Sequence, residues 1–159
     1  MAFCYEFWSN GHLTMEQVFF HSADISFSFP GKKVLKAFIP GIFRKEKKAL
    51  QSIHYIFCSD NYLLKINQSY LSHDFFTDII SFDLSEKWQP VEGEVYISIE
   101  RVRENARVLG IPFKEELLRV LFHGALHLCG YKDKTKAQRE LMRKMENHYI
   151  LKFQNAGST

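Results

Sequence analysis

The string Arg119-Val-Leu-Phe-His123-Gly-Ala-Leu-His127-Leu-Cys-Gly130-Tyr131-Lys-Asp133 constrains this chain more than any other feature. Its apolar positions, with Glu115 and Glu116 at the positive end, predict a helix over Lys114–Cys129. Two histidines four residues apart on a helix share a face, with β-carbons about 5–6 Å apart, as two ligands of one ion require. Gly130 falls where a helix can end in a left-handed residue without strain, after which the chain reverses. The reversal predicts that Asp133 comes back toward the rings as a third ligand. Two imidazoles, one carboxylate and a free coordination position make a catalytic zinc arrangement, whereas structural sites use four protein ligands. The competing reading is a plain helix end, with Asp133 capping the next helix.

The rest of the chain reads as one domain over residues 1–159, without repeat, linker or low-complexity tract. Val18–Phe29 is expected to be extended and closed by Pro30-Gly31. Lys32–Gln51 is expected to be an amphipathic helix kinked at Pro40-Gly41. A strand over Ser52–Cys58 precedes a helix over Tyr62–Tyr70, capped from Ser59, Asp60 and Asn61. Strands over Phe76–Leu84 and Gly93–Ile99 follow, then helices over Glu100–Leu109, ended by Gly110, and Lys136–Phe153. This order predicts an α+β fold: a small mixed β-sheet of about four strands covered by helices, with the metal site on a helix.

Composition narrows the function classes. With 46% hydrophobic and 25% charged residues, the chain is neither disordered nor fibrous, and its length supports a core without disulfides. Cys4, Cys58 and Cys129 form no CxxC pair, which argues against a zinc ribbon or disulfide framework and for a reducing compartment. No apolar run approaches about twenty residues and no signal-peptide pattern opens the chain, so a cytoplasmic protein without a membrane partner is expected. No small-molecule organic cofactor is expected either. The net charge of +3 permits a polyanionic partner without demanding one. The basic clusters at Lys32-Lys33, Arg44-Lys45, Lys47-Lys48 and Arg101/Arg103 read first as solvated faces. The fifteen Phe residues are expected mainly in the core, the alternative being a platform for stacking bases.

HGALHLCGYKD resembles the HGxLHLxGYDH signature of the YbeY family. Upstream, INQSYLSHDFFTDIISF (residues 66–82) is similar to that family's LNxxYRxxDxxTDVLSF, and GEVYISIERVRENA (93–106) to its GDIxIxxxxVxxxA, in the same order. The resemblance covers about residues 18–153 and leaves 1–17 as an extension of unknown role. It implies a zinc-protease-like sheet-and-helix fold and single-strand-specific endoribonuclease action in 16S rRNA 3′-end maturation and ribosome quality control. Ribosomal RNA and ribosomal components are the implied partners. His123, His127 and Asp133 match the family's metal positions for one divalent ion, with zinc expected, although nickel, iron and manganese suit such ligands too.

Three departures touch the site. Asp133 stands where the family has its third metal-binding His, Lys132 where it has Asp, and Leu71 where it has a cleft Arg. The carboxylate adds negative charge and should weaken the ion as a Lewis acid. Loss of the Arg removes a bidentate phosphate clamp. His73 and Lys132 are candidates for that contact, each equally readable as an ordinary loop residue; the catalytic proton acceptor and the substrate-binding residues are not identified by sequence. Two other functions stay open. A metzincin-like protease would carry its general-base Glu beside the first His, where this chain has Gly124. A non-catalytic ribosome-assembly factor would tolerate both Leu71 and Asp133.

Overall fold

Strand residues Ile53, Tyr55 and Phe57 are buried while His54 and Ile56 between them are half-buried, the period-two pattern of a sheet covered more thickly on one face. The computed structural model describes residues 16–71 and 74–156. The elements in chain order are β1 (Val18–Ser22), α1 (Lys32–Lys45), β2 (Leu50–Cys58), α2 (Asp60–Leu71), β3 (Ile79–Asp83), β4 (Val91–Ser98), α3 (Ile99–Leu109), α4 (Phe113–Leu128) and α5 (Lys136–Ala156). The four strands form one mixed sheet in the order β1-β2-β4-β3. β2 pairs in parallel with β1 and β4, placing Tyr55 opposite Phe20 and Val95, and β3 returns antiparallel along β4. The fold is thus the expected α+β arrangement of a small mixed sheet with helices.

One face of the sheet carries the principal core. Leu35, Ile39, Ile42 and Phe43 recur at helical spacing along α1 and pack with Val18, Ile53, Tyr55, Phe57, Val95 and Ile97 of the strands. α4 is buried on nearly every side, through Leu117, Leu121, Phe122, Ala125 and Leu126, and α5 adds Met142, Tyr149 and Ile150. The Tyr55 hydroxyl, wholly buried, donates to the Leu121 carbonyl at 2.9 Å, so the central strand is tied to α4 by a satisfied polar group. On the other face α2 covers a smaller cluster of Cys58, Leu63 and Ile80. Cys58 and Cys129 are buried free thiols, and Cys4 lies outside the described residues.

Several boundaries differ from expectation: β2 and β4 each begin two residues early, α5 runs on to Ala156, and four others have a visible cause. The predicted extended run to Phe29 pairs only as far as Ser22, with the Ala23 amide still reaching the Phe57 carbonyl. Beyond it Phe27 and Phe29 set their rings edge-on against Phe57, so these aromatics close the core from a loop. The helix expected through Gln51 is continuous past Pro40 but stops at Lys45, because Lys47 takes a left-handed φ of 57° and the Ala49 carbonyl accepts from Val91 in the sheet. β3 begins at Ile79 and not at Phe76; Phe75 and Phe76 are exposed, with the Phe75 carbonyl accepting from the Asn67 amide. α2 starts at Asp60, two residues before the expected Tyr62, behind Ser59, whose hydroxyl accepts from the Tyr62 amide. Most described Phe residues lie in or against the core as expected.

Candidate metal centre

Helix α4 presents His123 and His127 one turn apart, their rings nearly perpendicular with centroids 4.4 Å apart. The helix then ends in a Schellman pattern: the Gly130 amide donates to the His127 carbonyl at 2.9 Å and the Tyr131 amide to the Leu126 carbonyl at 3.0 Å. That geometry needs a left-handed residue at position 130, and Gly130 has φ 104°. The reversal brings Asp133 back over the rings. Its Oδ2 lies 3.4 Å from His127 Nε2 and 3.6 Å from His123 Nε2, and the three groups together could hold a metal ion.

Asp133 does not cap α5. Thr135 does so, its hydroxyl accepting from the Gln138 amide while the Gln138 side chain accepts from the amides of Lys134 and Thr135. Arg139 holds the same loop by donating to the carbonyls of Asp133 and Lys134. The Asp133 carboxylate is therefore left facing the histidines.

The far nitrogens of both rings are committed. His127 Nδ1 lies 2.9 Å from the Tyr131 carbonyl, which can only accept, so Nδ1 donates and Nε2 keeps its lone pair in the neutral ring. His123 Nδ1 lies 2.7 Å from Oε1 of Glu146, a buried carboxylate whose other oxygen faces Arg119 and Arg143 at 3.3 Å each. Both Nε2 atoms thus turn lone pairs toward one another at 2.8 Å, beside a carboxylate oxygen. Such a set calls for a cation between its members. A proton serves poorly, since burial, and next the charge of His123, lower the pKa of His127. A tetrahedral zinc with bonds of about 2.1 Å would hold its ligands about 3.4 Å apart, matching the two carboxylate edges and exceeding the edge between the rings. The residues fit a divalent ion with two imidazole ligands and one carboxylate.

The centre lies in a cleft of about 700 Å³ between the β3 side of the sheet and the loop after α4. Lys132 and Lys134 are exposed at its lining, with Arg143, Arg119, Glu116 and Asp78. Burial raises the pKa of Glu116 against the opposing pull of Arg119, 3.6 Å away. Of the residues singled out by sequence, His123, His127 and Asp133 come together, Lys132 lies in the same cleft, and His73 lies outside the described residues. Gly124, on the other side of α4, lies against β4: a Cβ there would come within 2.6 Å of Val95 Cγ1. The close approach of helix and sheet, and not the cleft, accounts for this glycine, and a glutamate there would face the core.

Sequence reasoning missed Glu146 and Glu46. Glu46 accepts from the hydroxyls of Tyr131 and Tyr149, pinning the metal loop to the end of α1 and to α5, and burial followed by the Glu46 contact raises the Tyr131 pKa to about 12. A signal for Glu146 was present: it sits between Met142 and Tyr149-Ile150 on the buried stripe of α5, where an isolated carboxylate has no packing reason to be.

The sequence matches the family described as Endoribonuclease YbeY over residues 20–154. Similar curated proteins include the Endoribonuclease YbeY of Cytophaga hutchinsonii, 45% identical over 83% of this chain and 92% of that one. The Endoribonuclease YbeY of Flavobacterium psychrophilum is 53% identical over 72% of this chain and 81% of that one. A solution structure of a Thermotoga maritima protein shares the fold with a TM-score of 0.55, at 24% identity over 89% of this chain and 92% of that chain. The matched segment spans the sheet, the helices and all three candidate ligands, and the chain belongs to the endoribonuclease YbeY family.

Proposed function

We propose that this chain is a metal-dependent endoribonuclease that hydrolyses phosphodiester bonds in single-stranded RNA. Its cellular role is 16S rRNA 3′-end maturation and ribosome quality control, in the cytoplasm, with ribosomal RNA and ribosomal components as partners. The observation that carries the reading is the convergence of one carboxylate and two imidazoles whose outward nitrogens are already occupied by acceptors, in a chain of this family. No described helix is long and apolar enough to cross a membrane. The sharing of one principal core by α1, α4, α5 and the sheet supports action as a single domain.

His123, His127 and Asp133 are the proposed ligands of one divalent ion, with zinc favoured by two imidazoles and a carboxylate. Bound there, the ion supplies Lewis acidity to a water or to a phosphoryl oxygen. Glu146 and the Tyr131 carbonyl fix the ring orientations and make the imidazoles stronger donors. Lys132 and Lys134, at the cleft lining, offer charge to phosphate where the family's Arg is replaced by Leu71. The protease alternative loses support, because position 124 faces Val95 and has no room for a general base. His127→Ala should abolish cleavage of single-stranded RNA while the circular dichroism spectrum stays folded; retained cleavage sinks the assignment, and RNA binding without turnover in the unsubstituted protein selects the assembly-factor alternative.

A further inference from the structure

The positive charge of this chain is concentrated in one place. Residues 32–48 hold seven of its 21 basic residues and one of its 18 acidic ones, net +6, so the remainder is net −3. That stretch is α1 and the turn behind it, and its single acid, Glu46, points inward to the hydroxyls of Tyr131 and Tyr149. Lys33, Arg44, Lys45, Lys47 and Lys48 are exposed, and among the described residues no carboxylate lies within ion-pair distance of any of them. Lys36, Arg44 and Lys48 line a groove of about 710 Å³ with Ala37, Pro40 and Ala49, where only Lys36 is paired, to Glu16.

This basic surface reaches the metal loop. Glu46 accepts from the Tyr131 hydroxyl two residues before Asp133, so the turn behind α1 abuts the loop that carries the third candidate ligand. Lys132 and Lys134 then continue the exposed positive charge into the cleft. A membrane surface fits less well, since Leu35, Ile39, Ile42 and Phe43 of α1 are buried in the core and Val34 is its one exposed large apolar residue, too little to insert.

We propose that α1 and the turn behind it bind the phosphate backbone of single-stranded RNA away from the cut, the strand running past Lys132 and Lys134 to the metal centre. This rests on the RNA-cleavage reading and adds a binding track of about 21 Å of helix, 14 residues long. The contacts are to phosphate, so they are indifferent to base sequence and weaken with salt.

The test is fluorescence anisotropy on the full chain, treated with chelator so that RNA is bound and not cut, using an unstructured RNA of about 20 nucleotides between about 50 and 200 mM salt. Substituting R44Q/K45Q/K47Q/K48Q should make the slope of log affinity against log salt shallower by about 3 and lower affinity at least about tenfold at the low-salt end. R44Q/K48Q, which keeps Lys45 at the helix end, should give about half that change in slope. Exchanging the same four positions as R44K/K45R/K47R/K48R should restore it. An unaltered slope in both Gln variants overturns the track while leaving the ribonuclease reading intact, and so does loss of binding only to phosphatidylserine vesicles. A wild-type chain that neither binds nor cuts RNA overturns both.

Discussion

A carboxylate on the apolar stripe of α5 is costly to bury, and Glu146 is buried because His123, Arg119 and Arg143 all bond to it. Removing it frees the His123 ring and its tautomer, so Glu146→Ala should weaken zinc affinity about 10- to 100-fold, with Glu146→Gln losing less. Competition with a chromophoric chelator reads this directly, and equal affinity in all three proteins would show that Glu146 has no part in positioning the ring. Proton linkage gives a second expectation at this scale. The folded chain holds the His127 pKa below its ordinary value of 6.5, through burial and then through His123. The unfolded chain therefore takes up that proton at higher pH, and the metal-free protein should lose stability as pH falls through about 6.5 toward the lower folded value, then level off. Urea midpoints at about pH 7.5 and 5.5 should differ in that sense; a higher midpoint on the acid side contradicts it. His123, His127 and Asp133 were legible in the sequence because helical spacing and a glycine stop act over a few residues. Glu146, 23 positions beyond His123, is brought in by tertiary packing alone.

At the scale of elements, α4 was legible almost to the residue, since its apolar pattern, its acidic first turn and Gly130 agree. The ends of β1, β3 and α1 were not, because pairing in the sheet decided them over local propensity. Phe27, Phe29 and Phe76 have strand-forming side chains but no partner strand, and Leu50 was drawn from the helical pattern into register with Val91. The seat of α4 on the sheet turns on Gly124, whose absent side chain leaves room for Val95. Gly124→Ala should destabilise the protein by about 1–3 kcal/mol through overpacking and push His123 from its place over the cleft. Chemical denaturation together with zinc affinity measures both effects; full stability in that variant means the helix can move off β4 without loss.

At the scale of the molecule, the sheet and α4 form a packed floor, and the loop after α4 folds back over it, held by Arg139 and by Glu46 just after α1, which also accepts from Tyr149 of α5. The candidate ligands, their outer partners and the cleft lysines thus come from two helices and one loop around a shared core. The α+β class was readable from element order, while the sheet order β1-β2-β4-β3 was not, because no local signal says which strand β4 joins. The central claim is that His123, His127 and Asp133 hold one ion. Its most direct test is metal content by inductively coupled plasma mass spectrometry on the untagged chain, beside His127→Ala and Asp133→Ala. The account predicts about one divalent ion per chain, lost in both variants; a chain that stays metal-free after reconstitution, or variants that keep the ion, would contradict it.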